Sequence, residues 1–197
     1  NDNVGVIVGS PYTKVSKDLK QDFKDRGLVV INERDYLDIE GMASNIIPEA
    51  DMYLNGDNKI PEASFYWYED DVLCKCRPDV ICSPQGIHQD FEIVAVDYKT
   101  TYSCSPESFL ESVLKYGYDQ QAAWYRRGLE AADFVFVAQE KKLPYASKVF
   151  KITEQQMDKA WIKMSASLES YKKYLKGTKP TIHNSPNIVT LDLDGQD

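Results

Sequence analysis

The sequence predicts a mixed α/β fold, because short runs dense in β-branched and aromatic residues alternate along the chain with segments whose apolar residues recur at helical spacing. Turn and capping residues punctuate the two kinds of segment, as Gly27, Pro48, Gly117 and Gly177 do. A length of 197 residues suits one domain and suffices to bury a core. No stretch approaches the roughly eighteen consecutive apolar residues of a membrane span, and the start lacks the basic-then-apolar order of a signal peptide. A cytoplasmic protein with no membrane partner is the expectation.

After an opening extended run, Val4 to Val8, the segment from Ser16 to Arg26 predicts a helix with Leu19 and Phe23 inward, closed by Gly27. Leu28 to Ile31 is extended. A second helix is expected from Glu33 to Ile47, with Tyr36, Ile39, Met42 and Ile46 at helical spacing and Pro48 interrupting it. Three strands should follow, at Ala63–Tyr68, Val72–Ile81 and Phe91–Thr100, with a turn at Ser83-Pro84-Gln85-Gly86. Ser105-Pro106-Glu107 starts a helix that ends before Gly117, since Ser suits the N-cap and Pro the first helical position. The next helix spans about Asp119 to Glu130, and strands Asp133–Gln139 and Ser147–Lys151 complete a sheet. Thr153-Glu154-Gln155-Gln156 is a capping box opening a long last helix, whose Met157, Trp161, Met164, Leu168, Tyr171 and Leu175 form an apolar stripe for the core or a subunit contact. The chain past Pro180 is rich in turn residues and should lie on the surface.

The chemistry concentrates in Pro78-Asp79 and, eighteen residues on, Asp97-Tyr98-Lys99 at the end of an apolar strand. Alternation puts Asp97 and Lys99 on one strand face and Tyr98 on the other. An antiparallel neighbour ending at Pro78, which breaks a ladder, would set Asp79 beside Asp97. Two adjacent carboxylates in a dry site repel unless a cation lies between them. Magnesium is the natural occupant, being a hard ion held by one or two carboxylates plus a substrate phosphate. Manganese substitutes at such oxygen sites. Lys99 would then orient a water or neutralise charge in phosphodiester cleavage. An isolated Asp-x-Lys is equally compatible with an exposed strand pair, so the surrounding blocks matter.

Those blocks are Glu62-Ala63-Ser64-Phe65-Tyr66-Trp67, Cys74-Lys75-Cys76-Arg77-Pro78-Asp79, Val96-Asp97-Tyr98-Lys99-Thr100-Thr101, Tyr118 to Tyr125, and Phe134 to Glu140 with Leu143-Pro144-Tyr145. In this order and spacing they resemble the PD-(D/E)XK nuclease superfamily, and within it the RecE-type (exodeoxyribonuclease VIII) phage and prophage exonucleases. The resemblance implies a restriction-endonuclease-like core with a central mixed sheet flanked by helices. It makes Asp79, Asp97 and the Tyr98 carbonyl metal ligands and Lys99 the catalytic lysine. Glu62 matches an acidic position that binds a second ion or orients a water, although its own sequence context also suits a solvated strand edge. Gln121 and Tyr125 match the Q-x-x-x-Y helix motif of the RecB-like branch, one turn apart on one face. Ordinary helix packing, with Tyr125 in the core, is the alternative for that pair.

The implied activity is magnesium-dependent 5′-to-3′ digestion of double-stranded DNA ends, leaving 3′ tails for a single-strand annealing recombinase in a bacterial or phage-infected cell, with a homo-oligomeric ring around the DNA. A structure-specific or restriction-type endonuclease would keep the same metal site. A DNA-binding or assembly subunit that has lost its chemistry is the third reading. The core should occupy residues 62–176, preceded by an N-terminal region, 1–61, and followed by a tail, 177–197. Members of this branch carry a histidine on a helix upstream of the first acidic block, whereas the two histidines here are His88 and His183. The abrupt start at Asn1, without Met, leads us to expect a longer protein whose earlier segment supplies that helix.

Cys74, Cys76, Cys82 and Cys104 lack the paired C-x-x-C spacing of zinc sites, which favours buried thiols over a metal site. A net charge of −8 is unusual for a protein that contacts phosphates, so the distribution of charge has to serve instead. Lysines gather on and just after the last helix, at Lys159, Lys163, Lys172, Lys173, Lys176 and Lys179, and Arg126 and Arg127 follow the Q-x-x-x-Y motif. Such a run suits a solvated helix face as well as a DNA track.

Overall fold

The computed structural model describes residues 3–56, 58–83 and 93–178. His88, His183, the turn at 84–86, the start of the strand expected from Phe91, and the tail from 179 onward lie outside the described residues. The chain opens with β1 (Val4–Ile7), α1 (Lys14–Asp25) and β2 (Val29–Asn32), and the two strands pair in parallel. Thr13 caps α1 by accepting the Ser16 amide at 3.1 Å. Gly5 lets α1 lie close on β1, because a Cβ there would stand 2.3 Å from the Phe23 ring.

The helix expected over Glu33–Ile47 is two helices, α2 (Glu33–Ser44) and α3 (Pro48–Leu54). Pro48 starts the second one rather than only stopping the first, since a proline at the first helical position forfeits an amide that had no partner anyway. A short strand not foreseen from sequence, β3 (Lys59–Pro61), follows. Then come β4 (Phe65–Glu69) and β5 (Val72–Cys76), which form a separate antiparallel hairpin, and β6 (Val80–Cys82). The single strand expected over Val72–Ile81 is therefore split. Pro78 is fully buried and has no amide to donate, so the ladder of the hairpin ends at Cys76 and the chain enters a second sheet at Val80.

That second sheet is completed by β7 (Val94–Thr101), β8 (Asp133–Glu140) and β9 (Ser147–Lys151), in the order β3-β6-β7-β8-β9. Only β7 and β8 run parallel, joined by α4 (Pro106–Tyr116) and α5 (Tyr118–Leu129), while the other neighbours are antiparallel. Gly117, with φ of +67°, lets α5 begin directly where α4 ends. The last element is α6 (Glu154–Leu175), capped by Thr153.

Period-two alternation divides the sheet between two cores. Ala95, Phe134, Phe136 and Ala138 face Phe109 of α4, Ala122 and Ala123 of α5 and Met157 and Ala160 of α6. Val94, Val96, Val135 and Val137 face the other way, onto Ala50 of α3 with Ile46 and Leu54 beside it. The result is a mixed sheet covered on both faces by helices. Of the α6 stripe only the N-terminal half is covered, since Met157 is buried while Tyr171 and Leu175 are exposed. Four described thiols, Cys74, Cys76, Cys82 and Cys104, are buried, and burial pushes Cys76 and Cys82 up to about 11. No described helix is long and apolar enough to cross a membrane.

Candidate active site

The pairing of β6 with β7 sets Val80 against Val96 and Ile81 against Ala95. One step further along that register brings Asp79 opposite Asp97, where β6 has ended and β7 continues. The edge of β7 is thus left without a ladder partner at Tyr98, and the Asp79 carboxylate takes that place: the Tyr98 amide donates to Oδ2 at 2.7 Å. In an extended strand the amide and carbonyl of one residue point to the same edge, so the Tyr98 carbonyl also faces the Asp79 side.

Asp97 is buried, with 4% of its surface exposed. Its Oδ2 accepts from Gln121 Nε2 of α5 at 2.5 Å, and the Lys99 ammonium lies against Oδ1 as an ion pair. Oδ1 is fully buried, with that ammonium against it. Burial raises the Asp97 carboxyl above the ordinary range and the neighbouring Asp79 charge adds to this, while Lys99 and Gln121 oppose it. A buried carboxylate next to a second carboxylate and a strand carbonyl is a donor set suited to a hard divalent ion that keeps several waters. Among the described residues, no group of three or more His, Cys, Asp or Glu side chains converges as a metal cluster. Two carboxylates are what the chain brings together.

The remaining sequence-predicted residues divide. Gln121 meets Asp97, as described, but Tyr125 packs edge-on against Phe134, with ring centroids 6.1 Å apart, and belongs to the helix–sheet core. Glu62 does not start a strand. It sits between β3 and β4 in the left-handed region, with φ of +53°, and its amide donates to the Asp79 carbonyl at 2.9 Å. Its carboxylate is exposed and pairs with Arg77 Nε at 3.0 Å. Glu62 therefore braces the backbone at Asp79 while its side chain is engaged outside the carboxylate pair.

Three contributors were not assigned from sequence. Tyr118 places its ring under the Lys99 ammonium, 4.6 Å from the centroid, and its position three residues before Gln121 on one helix face is the signal that points to it. Gln139, 1% exposed, accepts from the Tyr98 hydroxyl at 2.5 Å and donates to the carbonyls of Met42 at 2.7 Å and Tyr145 at 3.0 Å. A lone amide ending the apolar run Phe134–Ala138 marks it. Arg77 is the third, identified only by its contact with Glu62. Three cations of α5 and α6 are meanwhile engaged in structural pairs: Arg126 with Glu154, Arg127 with Glu69, and Lys172 with Asp70 and Glu169.

Residues 17–185 match the family model described as a PDDEXK-like domain of unknown function. A search of curated proteins finds no match. Among solved structures, the Eubacterium rectale protein named "Putative exonuclease" superposes with a TM-score of 0.57 at 14% identity, over 92% of this chain and 73% of its own. The protein SSO0001 aligns over 81% of this chain and 74% of its own, at 14% identity and a TM-score of 0.34. The first of these shares the fold, a mixed sheet between helices. Since the family match spans most of the chain and Pro78-Asp79 stands beside Asp97-Tyr98-Lys99 where β6 gives out along the central strand β7, the chain belongs to the PDDEXK-like family DUF3799, within the PD-(D/E)XK superfamily.

Proposed function

We propose that the protein is a magnesium-dependent deoxyribonuclease whose site is Asp79, Asp97, the Tyr98 carbonyl and Lys99. The observation that carries this reading is the buried Asp97 carboxylate set beside a second carboxylate, Asp79, with the Lys99 ammonium against it. Bound magnesium would supply the positive charge that polarises a phosphoryl oxygen and lowers the pKa of a coordinated water. Lys99 answers the charge that develops on the phosphoryl oxygens, and the Tyr118 ring holds the ammonium in place. Gln121 fixes the rotamer of Asp97 through Oδ2, and the Tyr98 amide does the same for Asp79. Glu62, bound through its backbone to the Asp79 carbonyl, supports the loop rather than adding a third carboxylate.

The finer reading rests on the RecE-type resemblance of the motif blocks. It is a 5′-to-3′ exonuclease on duplex ends that leaves 3′ tails for a single-strand annealing recombinase, working as a ring of subunits. Linear duplex labelled at one end, and the same sequence as a covalently closed circle, test it together. Mononucleotide release from the linear form with magnesium, none with EDTA, and an intact circle are expected. Cutting of the circle would replace this reading with an endonuclease, and no magnesium-dependent cleavage of either would leave a binding or assembly subunit.

A further inference from the structure

The β4–β5 hairpin stands apart from the main sheet, yet it runs straight into the carboxylate pair. Its inner face is firmly seated. Trp67 packs on Trp124 with ring centroids 5.0 Å apart, Trp124 Nε1 donates to the Lys75 carbonyl at 3.2 Å, and Glu69 is gripped by Arg127. Asp70, at the turn, pairs with Lys172 of α6.

The outer face has no partner in the fold. Cross-strand pairs Tyr66 with Lys75 and Tyr68 with Leu73 all point outward, and Tyr66, Tyr68 and Leu73 are 63%, 69% and 59% exposed. Tyrosine suits a strand by propensity alone, so what marks this face is the contiguity of two exposed rings with a cation directly across from one of them. The outward alternation of β5 continues past its end, from Leu73 and Lys75 to the exposed Arg77 and then to the partly exposed Asp79. At about 3.3 Å per residue, Lys75 stands roughly 13 Å or less from the Asp79 backbone.

We propose that this face is a stacking platform for single-stranded DNA, which holds the strand next to the scissile phosphate, with Tyr66 and Tyr68 under successive bases and Lys75 on the backbone phosphates. Sequence-tolerant strand binding uses this combination of aromatic faces and cations along one track. Lys75 supplies the cation of this face, and the alternation leads from it toward the proposed catalytic site. On a chain with a net charge of −8 such a local device adds to the lysines of α6, of which Lys172, like Arg126 and Arg127 on α5, is engaged with carboxylates. The platform rests on the nuclease reading for its role but not for its detection.

Binding of a short labelled oligothymidylate to the whole chain in EDTA tests the platform without any chemistry. The double variant Tyr66→Ala/Tyr68→Ala should bind at least about tenfold more weakly, and Tyr66→Phe/Tyr68→Phe should bind as the wild type does. Lys75→Gln should weaken binding and reduce the salt slope by about one. Hydrolysis of bis(p-nitrophenyl) phosphate, too small to span site and hairpin, should be unchanged in the Tyr66→Ala/Tyr68→Ala variant. Unaltered tryptophan fluorescence, reporting Trp67 and Trp124, establishes that the hairpin is still seated. Undiminished oligonucleotide binding by the double variant overturns the platform, as does a wild type that fails to bind. If that variant instead turns a dimer into a monomer with DNA affinity intact, the face is a contact between copies and the proposal is wrong. A wild type that binds the oligonucleotide but cleaves neither linear nor circular duplex with magnesium removes the nuclease reading alone.

Discussion

The Lys99 ammonium lies between two partners of different kinds: the Asp97 carboxylate on its own strand and, 4.6 Å away, the ring face of Tyr118 at the start of α5. The aromatic face attracts the cation without supplying a counter-charge, so Lys99 is positioned while its charge stays only partly compensated. A lysine held in this way is suited to meet a phosphate.

Replacing Lys99 by Ala should lower phosphodiester cleavage by about 10²–10³-fold, the usual effect of removing one electrostatic donor from a site, with little change in melting temperature. Tyr118→Phe keeps the ring and should keep the rate. Tyr118→Leu, which loses the quadrupole, should slow cleavage by roughly three- to thirtyfold. Steady-state rates on end-labelled duplex, with circular dichroism as a check on folding, decide it.

Asp97 should cost the metal-free protein stability at neutral pH. Its folded-state carboxyl titrates above the ordinary value, so over that window the folded chain keeps a proton that the unfolded chain has lost. Stability therefore falls as pH rises from the ordinary Asp value through the raised one. Asp97→Asn should raise the melting temperature in EDTA at pH 7 by on the order of a few degrees, and the gain should shrink on acidification. Magnesium should stabilise the wild type and not Asp97→Asn. A thermal-melt series in pH and magnesium measures both.

Gln121 and Tyr125 share a motif but not a task. Gln121→Ala should reduce cleavage while changing stability little, since it frees the Asp97 rotamer. Tyr125→Ala should cost about 2–3 kcal/mol in urea denaturation by opening space against Phe134, whereas Tyr125→Phe should be neutral in activity. An equal loss of activity from both tyrosine variants would return that hydroxyl to the site.

Gln139→Leu should destabilise the protein by about 1–3 kcal/mol, because it removes the partner of the Tyr98 hydroxyl and of the buried Tyr145 carbonyl. Urea midpoints at constant slope would report this.

Gly128→Ala tests how α5 seats the hairpin. Alanine in a helix is normally favoured over glycine by about 1 kcal/mol, but here its Cβ would stand 2.4 Å from the Trp67 ring. Overpacking of that kind costs about 1–3 kcal/mol, so the net effect should be destabilising, with altered Trp67 fluorescence.

Much of the site was legible because its geometry follows from local rules. Asp97 and Lys99 share a face by strand alternation, and Asp79 falls opposite Asp97 by counting back from an antiparallel turn. Gln121 could be placed on the right helix but not aimed, since Gln121 and Tyr125 lie on the same helical face and only packing sends Tyr125 to Phe134. The sheet switch at Pro78 was hidden because the residues on either side of it are equally strand-like, and what separates them is the choice of distant partners, Tyr66 for Lys75 and Val96 for Val80. Gln139 stands out as a lone amide ending an apolar run, but its role was hidden for the same reason. Its partners Met42 and Tyr98 are far away in sequence, and no propensity encodes that meeting.

The buried proline between the two sheets insulates one alignment from another. A slipped pairing or an added residue in the hairpin would be absorbed ahead of Val80, and the frame that sets Asp79 against Asp97 would not move. A hairpin altered in length or in surface chemistry should therefore leave the Asp79–Asp97 pair where it stands.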